Sequence, residues 1–422
     1  MNKNRNIILV GALFATLLNA ETIQKDRERL HSVKEAVGQF APSDEKEISA
    51  VDQFRNMFTE GKVSGQIKSM YAGYDNEYDT NTYATAIGGI LKYELAEYNG
   101  FNAGVAFSTS HDIGFATGDK SKGEQNDELS SSEGSYTQVS EAYINYKYDD
   151  LNLRVGRQTI DTPLADSDDI RMIANTFEAY IATYDLSGFE FMVGNIQRWQ
   201  GVDAGLDDGW ISTSEDGTWL GGVSYSEKYE LNAWYYNITG YTNAAYIDVG
   251  VNHNITKDIA FHGGLQYLNE SELDNSGYAA DIYGLLAEFI VYDIGFNVAY
   301  NKSNKVAGKA SFSGTGGGTM YTSMDTLIVD DITEDRDVNA VVYGITYEIG
   351  NWKMLYAYGD FKGDKNSAGV KEHIVEQDIG FEYAINEEFY LGAIYVMQDD
   401  KEDSLSVEHN WNRAQIMVAY NF

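Results

Sequence analysis

"RAQIMVAYNF", residues 413–422, ends the chain on an aromatic side chain with no polar tail behind it. Counting back in twos from Phe422 collects Tyr420, Val418, Ile416 and Ala414, while the interleaved set is Asn421, Ala419, Met417, Gln415 and Arg413. Side chains alternate across a strand, so one set suits hydrocarbon and the other suits water.

The same period of two returns along the chain from Gly61 onward. In "KVSGQIKSMYAGY", residues 62–74, Val63, Ile67 and Tyr71 share one face, and Lys62, Ser64, Gln66 and Lys68 share the other. Leu151, Leu153 and Val155 oppose Asn152 and Arg154; Trp352, Met354, Tyr356 and Tyr358 oppose Lys353, Leu355 and Ala357. A water-soluble sandwich would alternate too, so the connections decide. Strands read from near Lys62, Tyr83, Phe101, Tyr136, Leu151, Thr176, Gly188, Trp219, Glu230, Tyr241, Ile259, Tyr278, Tyr292, Val338, Asn351, Ile374, Glu388 and Val407 number eighteen. Every second connection is tight, as in "YDD" at Tyr148, "DLSG" at Asp185 and "IGN" at Ile349, whereas those between are longer and acidic, as at residues 111–135, 199–218 and 301–337. Short turns on one side and long loops on the other mark a transmembrane β-barrel. Its strands need ~9–11 residues each to cross hydrocarbon. In lipid every backbone amide must be paired, so the sheet must close on itself. The expected fold is all-β: a closed antiparallel transmembrane β-barrel of about eighteen strands over residues 59–422.

Composition agrees. There are 41 glycines, 32 tyrosines and only two prolines, Pro42 and Pro163, which favours sheet because proline cannot donate to a ladder. No cysteine is present, which excludes disulfides and thiol chemistry. A formal charge of −35 excludes nucleic acid as a partner, and suits a solvated surface or one bridged by divalent cations.

Residues 1–20, "MNKNRNIILVGALFATLLNA", place Lys3 and Arg5 before an apolar run that is shorter than a membrane span, with Ala20 at the cut. This is the pattern of a secretory signal peptide, although Leu18 is larger than usual two positions before the cleavage point. Residues 21–58 are charged and carry apolar positions at helical spacing (Ile23, Leu30, Val33, Val37, Phe40; then Ile48, Val51, Phe54, Phe58), so a short periplasmic helical extension is expected there, with a pore plug or oligomer-forming segment as the sharper alternative.

The stretch "LRVGRQTIDTPLADSDDIRMIANTFEA", residues 153–179, resembles the strand, constriction-loop, strand segment of OprD-type outer-membrane porins, the Opr or major outer-membrane protein-like family. "FTEGKVSGQIKSMY" at Phe58 resembles the family's first strand, and "GGILKYELAEYNGFNAGVAFSTS" at Gly88 its second hairpin. Ala174 stands where the pattern has proline. The resemblance implies a barrel whose third extracellular loop folds inward, and by the strand count that loop is residues 159–174. The C-terminal face of Phe422, Tyr420, Val418 and Ile416 is similar to the assembly signal read by the barrel-insertion machinery.

The candidate constriction follows. The loop supplies Asp161, Asp166, Asp168, Asp169 and Arg171; lumen-side wall positions supply Lys68, Arg154 and Glu178, and Arg157 and Arg198 stand close to strand ends. Acids facing bases across a narrow wet gap would orient dipolar solutes and set ion preference. The bland alternative is a merely solvated inner face, with loop aspartates capping turns. The resemblance implies passage of amino acids, peptides or carboxylates, whereas the acidity of the chain argues for cation preference or broad specificity.

The six histidines lack metal-ligand spacing, and "SGTGGGTM" at Ser313 lacks the lysine of a phosphate cradle. Asp330, Asp331, Glu334 and Asp335 could bind surface calcium, but a solvated charge run is the default. No cofactor, metal or enzymatic turnover is expected. The expected function is passive diffusion of small hydrophilic solutes through the outer membrane of a Gram-negative bacterium, amid lipid and lipopolysaccharide, with a homotrimer as one option for assembly. The competing expectation is a surface-exposed structural or adhesion barrel without significant channel activity.

Overall fold

A computed structural model describes residues 50–168, 170–402 and 410–422. The expected signal peptide, most of the expected extension and Asp169 lie outside the described residues.

The alternating stretches form nineteen strands in one sheet. The first group is β1 (Lys62–Asn76), β2 (Thr82–Glu94), β3 (Phe101–Asp112), β4 (Ser135–Tyr148), β5 (Leu151–Gln158), β6 (Thr176–Leu186) and β7 (Phe189–Gln200). A two-residue strand, β8 (Ile211–Ser212), borders the following loop. The second group is β9 (Thr218–Ser226), β10 (Tyr229–Ile238), β11 (Thr242–Asn254), β12 (Ile259–Glu272), β13 (Ala280–Val291) and β14 (Ile294–Ser303). The last is β15 (Val338–Ile349), β16 (Trp352–Gly363), β17 (Glu372–Ala384), β18 (Phe389–Asp400) and β19 (Trp411–Asn421).

Consecutive long strands pair antiparallel, and β7 passes its ladder directly to β9, so the eighteen expected strands are the wall and β8 is an addition at its rim. The barrel closes where β1 meets β19, from Gln66 opposite Asn421 to Asn76 opposite Trp411. Phe422 extends this seam: its N–H donates to Gly65 O, and Gly65 N–H donates to Phe422 O, both at 3.0 Å. Among the described residues, the sheet is left with no free edge.

One rim consists of tight turns. Ser187 and Gly188 both have positive φ, 51° and 86°, the backbone twist that a two-residue hairpin requires. Beside this rim lies α1 (Ala50–Thr59), whose Met57 is buried and accepts a hydrogen bond from Ala96 N–H in the β2–β3 turn.

The wall has two faces. On β19, Ile416, Val418 and Phe422 are exposed, whereas Arg413, Gln415, Met417 and Ala419 are buried inside. Outward aliphatic side chains recur around the circumference at Ile87, Leu91, Ile144, Val193, Leu265, Leu285, Val298, Ile345 and Ile379. The inner face is divided by height. Toward the short turns it is polar, with Lys92, Glu94, Glu141, Asn145, Arg154, Glu230, Glu288 and Glu382. Toward the long loops it turns apolar, with Ala84, Ala86, Ile282, Val338, Val342, Phe361, Ile374 and Val396 all buried. An apolar inner wall in a water-filled barrel would be unfavourable unless something covered it. Loops do.

Candidate pore constriction

Residues 159–175 leave β5, enter the lumen and return to β6. The turn at Pro163 and Leu164 is clamped by reciprocal backbone bonds, Thr162 N–H to Ala165 O at 2.8 Å and Ala165 N–H to Thr162 O at 3.2 Å. Asp161 accepts from Ser167 N–H, and Asp166 accepts from Asp168 N–H at 2.7 Å, which lets Asp168 hold a left-handed φ of 39°. The loop then reaches distant walls. Leu164 N–H donates to the Tyr236 hydroxyl on β10, while Lys68 Nζ on β1 donates to Arg171 O at 3.0 Å and Gln415 Nε2 on β19 donates to Ile170 O at 3.3 Å.

A second loop, residues 304–337, lies against the first and was not singled out by sequence reasoning as pore-lining. Asp166 N–H donates to Thr315 O, and Thr315 N–H donates to Leu164 O. Gly316 and Gly317 have φ of 85° and 70°, and a Cβ on Gly316 would stand 2.5 Å from Asp166 O, so the glycine run permits backbone to lie against backbone. Farther along, Tyr321 N–H donates to Gln266, Thr322 N–H to Asn301, Asp325 N–H to Asp378 and Thr326 N–H to Glu376. Met320, Tyr321, Met324, Leu327, Val329 and Ile332 cover the apolar inner wall. Six such side chains in an acidic extracellular loop were the available signal of an inward-folded segment.

A third loop, residues 113–134, completes the closure. Its Glu128 forms an ion pair with Arg171, Nε to Oε1 at 2.8 Å, and accepts from Arg413 Nε at 3.3 Å, and Arg413 Nη1 meets Asp325 at 2.5 Å. Arg413 is fully buried. Burial pushes the Glu128 carboxyl up, but Arg413 and Arg171 outweigh it and hold the group below its ordinary range. The loop aspartates go the other way. Burial, reinforced by Asp161, raises Asp166 to about 6; burial, reinforced by Asp203 and opposed by Arg171, raises Asp168 to about 7.

Lys68, Arg154, Asp161, Asp166, Asp168 and Arg171 therefore stand in or on the lumen; Arg154 donates to Asn145 at 3.1 Å and lies 4.4 Å over the Tyr143 ring. Glu178, Arg157 and Arg198 do not. Glu178 alternates with buried Phe177 and Ala179 and shares the face of exposed Tyr180, which is the outward face. Arg157 follows exposed Leu153 and Val155 in the same parity, and Arg198 lies opposite Glu178, beyond a bulge in the β6–β7 ladder. The charged run at Asp330 is solvated only in part: Asp331 and Glu334 are exposed, whereas Asp330 is buried and accepts from Ser311 at 2.5 Å, and Asp335 accepts from Gly308 N–H and Ser367 N–H, both at 2.7 Å.

The lumen walls differ in charge. Lys68, Lys92 and Arg154 stand on β1, β2 and β5, where Glu94 and Glu141 offset two of the three charges, whereas Glu230, Asp248, Glu288 and Glu382 stand on β10, β11, β13 and β17 with Lys353 among them. A transverse field results.

No protein-family model and no curated protein sequence matches the chain. Solved structures do. OpdK of Pseudomonas aeruginosa, crystallised with vanillate, is 15% identical with a TM-score of 0.73, covering 86% of this chain and 99% of that one. OccAB3 of Acinetobacter baumannii is 14% identical with a TM-score of 0.73 over 86% and 99% of the two chains. OpdL of P. aeruginosa is 11% identical with a TM-score of 0.70 over 86% and 99%. The similarity to OprD-type porins thus holds at the level of architecture, and the chain has the closed-barrel fold of OpdK, OccAB3 and OpdL.

Proposed function

We propose that the protein is an outer-membrane porin, a passive channel for small hydrophilic solutes and ions that works without cofactor or turnover. The carrying observation is the path of residues 159–175: anchored on β5 and β6, the loop touches β10, β1 and β19, and so crosses the lumen. A barrel serving only as a surface scaffold has no need to stitch a loop across its own interior. The outward aliphatic band supports placement in a membrane, since an apolar patch of this extent is not left in water by soluble monomers. A nearly balanced wall facing an acidic one favours solutes that carry a positive group beside a negative one, such as amino acids and short peptides, and the excess of acid favours cations among simple ions.

Incorporation into a planar bilayer with single-channel recording tests this. Stepwise conductance is expected, with a reversal potential in a salt gradient that shows cation preference. A correctly folded barrel that inserts but passes no current would overturn the proposal.

A further inference from the structure

Arg157, Glu178 and Arg198 occupy neighbouring strands next to the long loops, on the outside of the barrel. Arg198 Nη2 donates to both Glu178 oxygens, at 2.9 and 2.8 Å, and Arg157 Nε lies 3.6 Å from the same carboxylate. The Arg157 guanidinium also lies 4.6 Å from the Trp210 ring, which folds over it from the loop after β7. Two guanidiniums face one carboxylate, so the cluster is left with one positive charge. The three side chains remain 31%, 31% and 43% exposed in the order Arg157, Glu178, Arg198.

Among the described residues, the other arginines of the barrel and its loops are committed elsewhere: Arg154 and Arg413 inside, Arg171 and Arg336 in loop ion pairs. The outward pair is therefore distinctive. A charge on the lipid face is costly at mid-membrane and nearly free near the interface, so its position at the rim is tolerated. Directly below it lies a largely apolar strip: Val155, Tyr180, Val193 and Trp219 are exposed on the same face, with Asn195 in register between Tyr180 and Trp219. Cationic forks above an apolar strip match an anionic headgroup above its own acyl chains, and the planar guanidinium fits phosphate oxygens bidentately.

We infer that Arg157 and Arg198 form a docking site for the phosphorylated headgroup of a lipid in the outer leaflet, with Trp210 as its lid and the Val155–Tyr180–Val193 strip holding an acyl chain. The inference rests on the outer-membrane placement proposed above. Glu178 keeps the two arginines parallel when no phosphate is bound.

Native mass spectrometry of the purified barrel with added diphosphoryl lipid A tests the site. The wild type is expected to retain lipid A, R157Q/R198Q to retain it roughly tenfold more weakly, and E178Q, which keeps both cations, to retain it at least as well as wild type. Wild-type barrel offered chemically dephosphorylated lipid A needs no variant and is expected to bind as weakly as the double variant. Equal retention by wild type and double variant, or of both lipids by wild type, overturns the inference; so does complete displacement by millimolar inorganic phosphate, which would make the site one for the free ion. Heat-modifiable gel mobility shows that each protein is folded. Conductance of the wild type, recorded separately, reports on the porin proposal, so a silent channel that binds lipid A and a conducting one that does not are told apart.

Discussion

Arg413 Nε on the last strand donates to Glu128 Oε2 at 3.3 Å, joining residues 285 positions apart. The same guanidinium meets Asp325 and, through Nη2, the Glu128 Oε1 that Arg171 also approaches, so two bases and two acids from three loops and the wall neutralise one another inside the barrel. Burial of these charges is tolerable because each has an oppositely charged partner at ion-pair distance.

Removing the hub should release the loops. Arg413→Gln leaves Asp325 buried without its cation and Glu128 with Arg171 alone, and breaking such a pair costs about 3–5 kcal/mol. The wall ladder does not depend on it. The expected result is a folded barrel with larger, noisier conductance and new protease cleavage within residues 304–337. Since Glu128 is held below its ordinary value, its contribution is complete above the unfolded value of about 4.3 and is lost as pH falls through the lower folded value. Loss of this hub should therefore make wild-type channels noisier as pH falls into that acid range.

The loop aspartates should make selectivity depend on pH near neutrality. Burial raises Asp166 to about 6 and Asp168 to about 7, so their charges disappear as pH drops through that interval. A raised carboxyl stabilises the seated loop at low pH and loses that contribution as pH rises through the folded value. Cation preference, read from reversal potentials, is expected to increase from pH 5 to pH 8, and D166N/D168N to flatten the profile. A flat wild-type profile would remove these residues from the permeation path.

Wall glycines admit the second loop. A Cβ on Gly359 would overlap the Met324 sulfur and stand 2.7 Å from the Phe361 ring. Gly359→Val is expected to lift the tip of residues 304–337 from the wall at an overpacking cost of about 1–3 kcal/mol. Higher conductance with unchanged gel mobility of the folded barrel would show this; conductance equal to wild type would mean that Met324 does not narrow the path.

The outward face can be checked for contact with lipid. Ile416 stands mid-strand and is exposed, so Ile416→Lys should cost about 2–4 kcal/mol in denaturant unfolding from phospholipid vesicles. A neutral outcome would mean that this face does not meet hydrocarbon.

Much of the barrel was legible because its signal is local. Ile416, Val418 and Phe422 alternate with Gln415, Met417 and Ala419 within one short stretch, and the connection lengths reveal which rim carries the loops. The position of residues 159–174 in the strand order was also readable. The side of Glu178 was not, because the usual rule of charge inside and grease outside reverses near the long-loop rim: Phe177 and Ala179 face inward there to seat loops, which leaves Glu178 outside. The bulge between β6 and β7 shifts the count at Arg198 by one, and alternation along a single strand carries no mark of it.

Strand positions, closure and the apolar exterior were determined by the sequence alone, since they follow from a period of two and from the requirement that every amide in lipid be bonded. Which charges meet inside was decided only by the tertiary structure. Glu128, Arg171, Asp325 and Arg413 come from three loops and a strand, and a pairing across 285 residues depends on how those loops pack against an apolar inner wall, which no local pattern specifies.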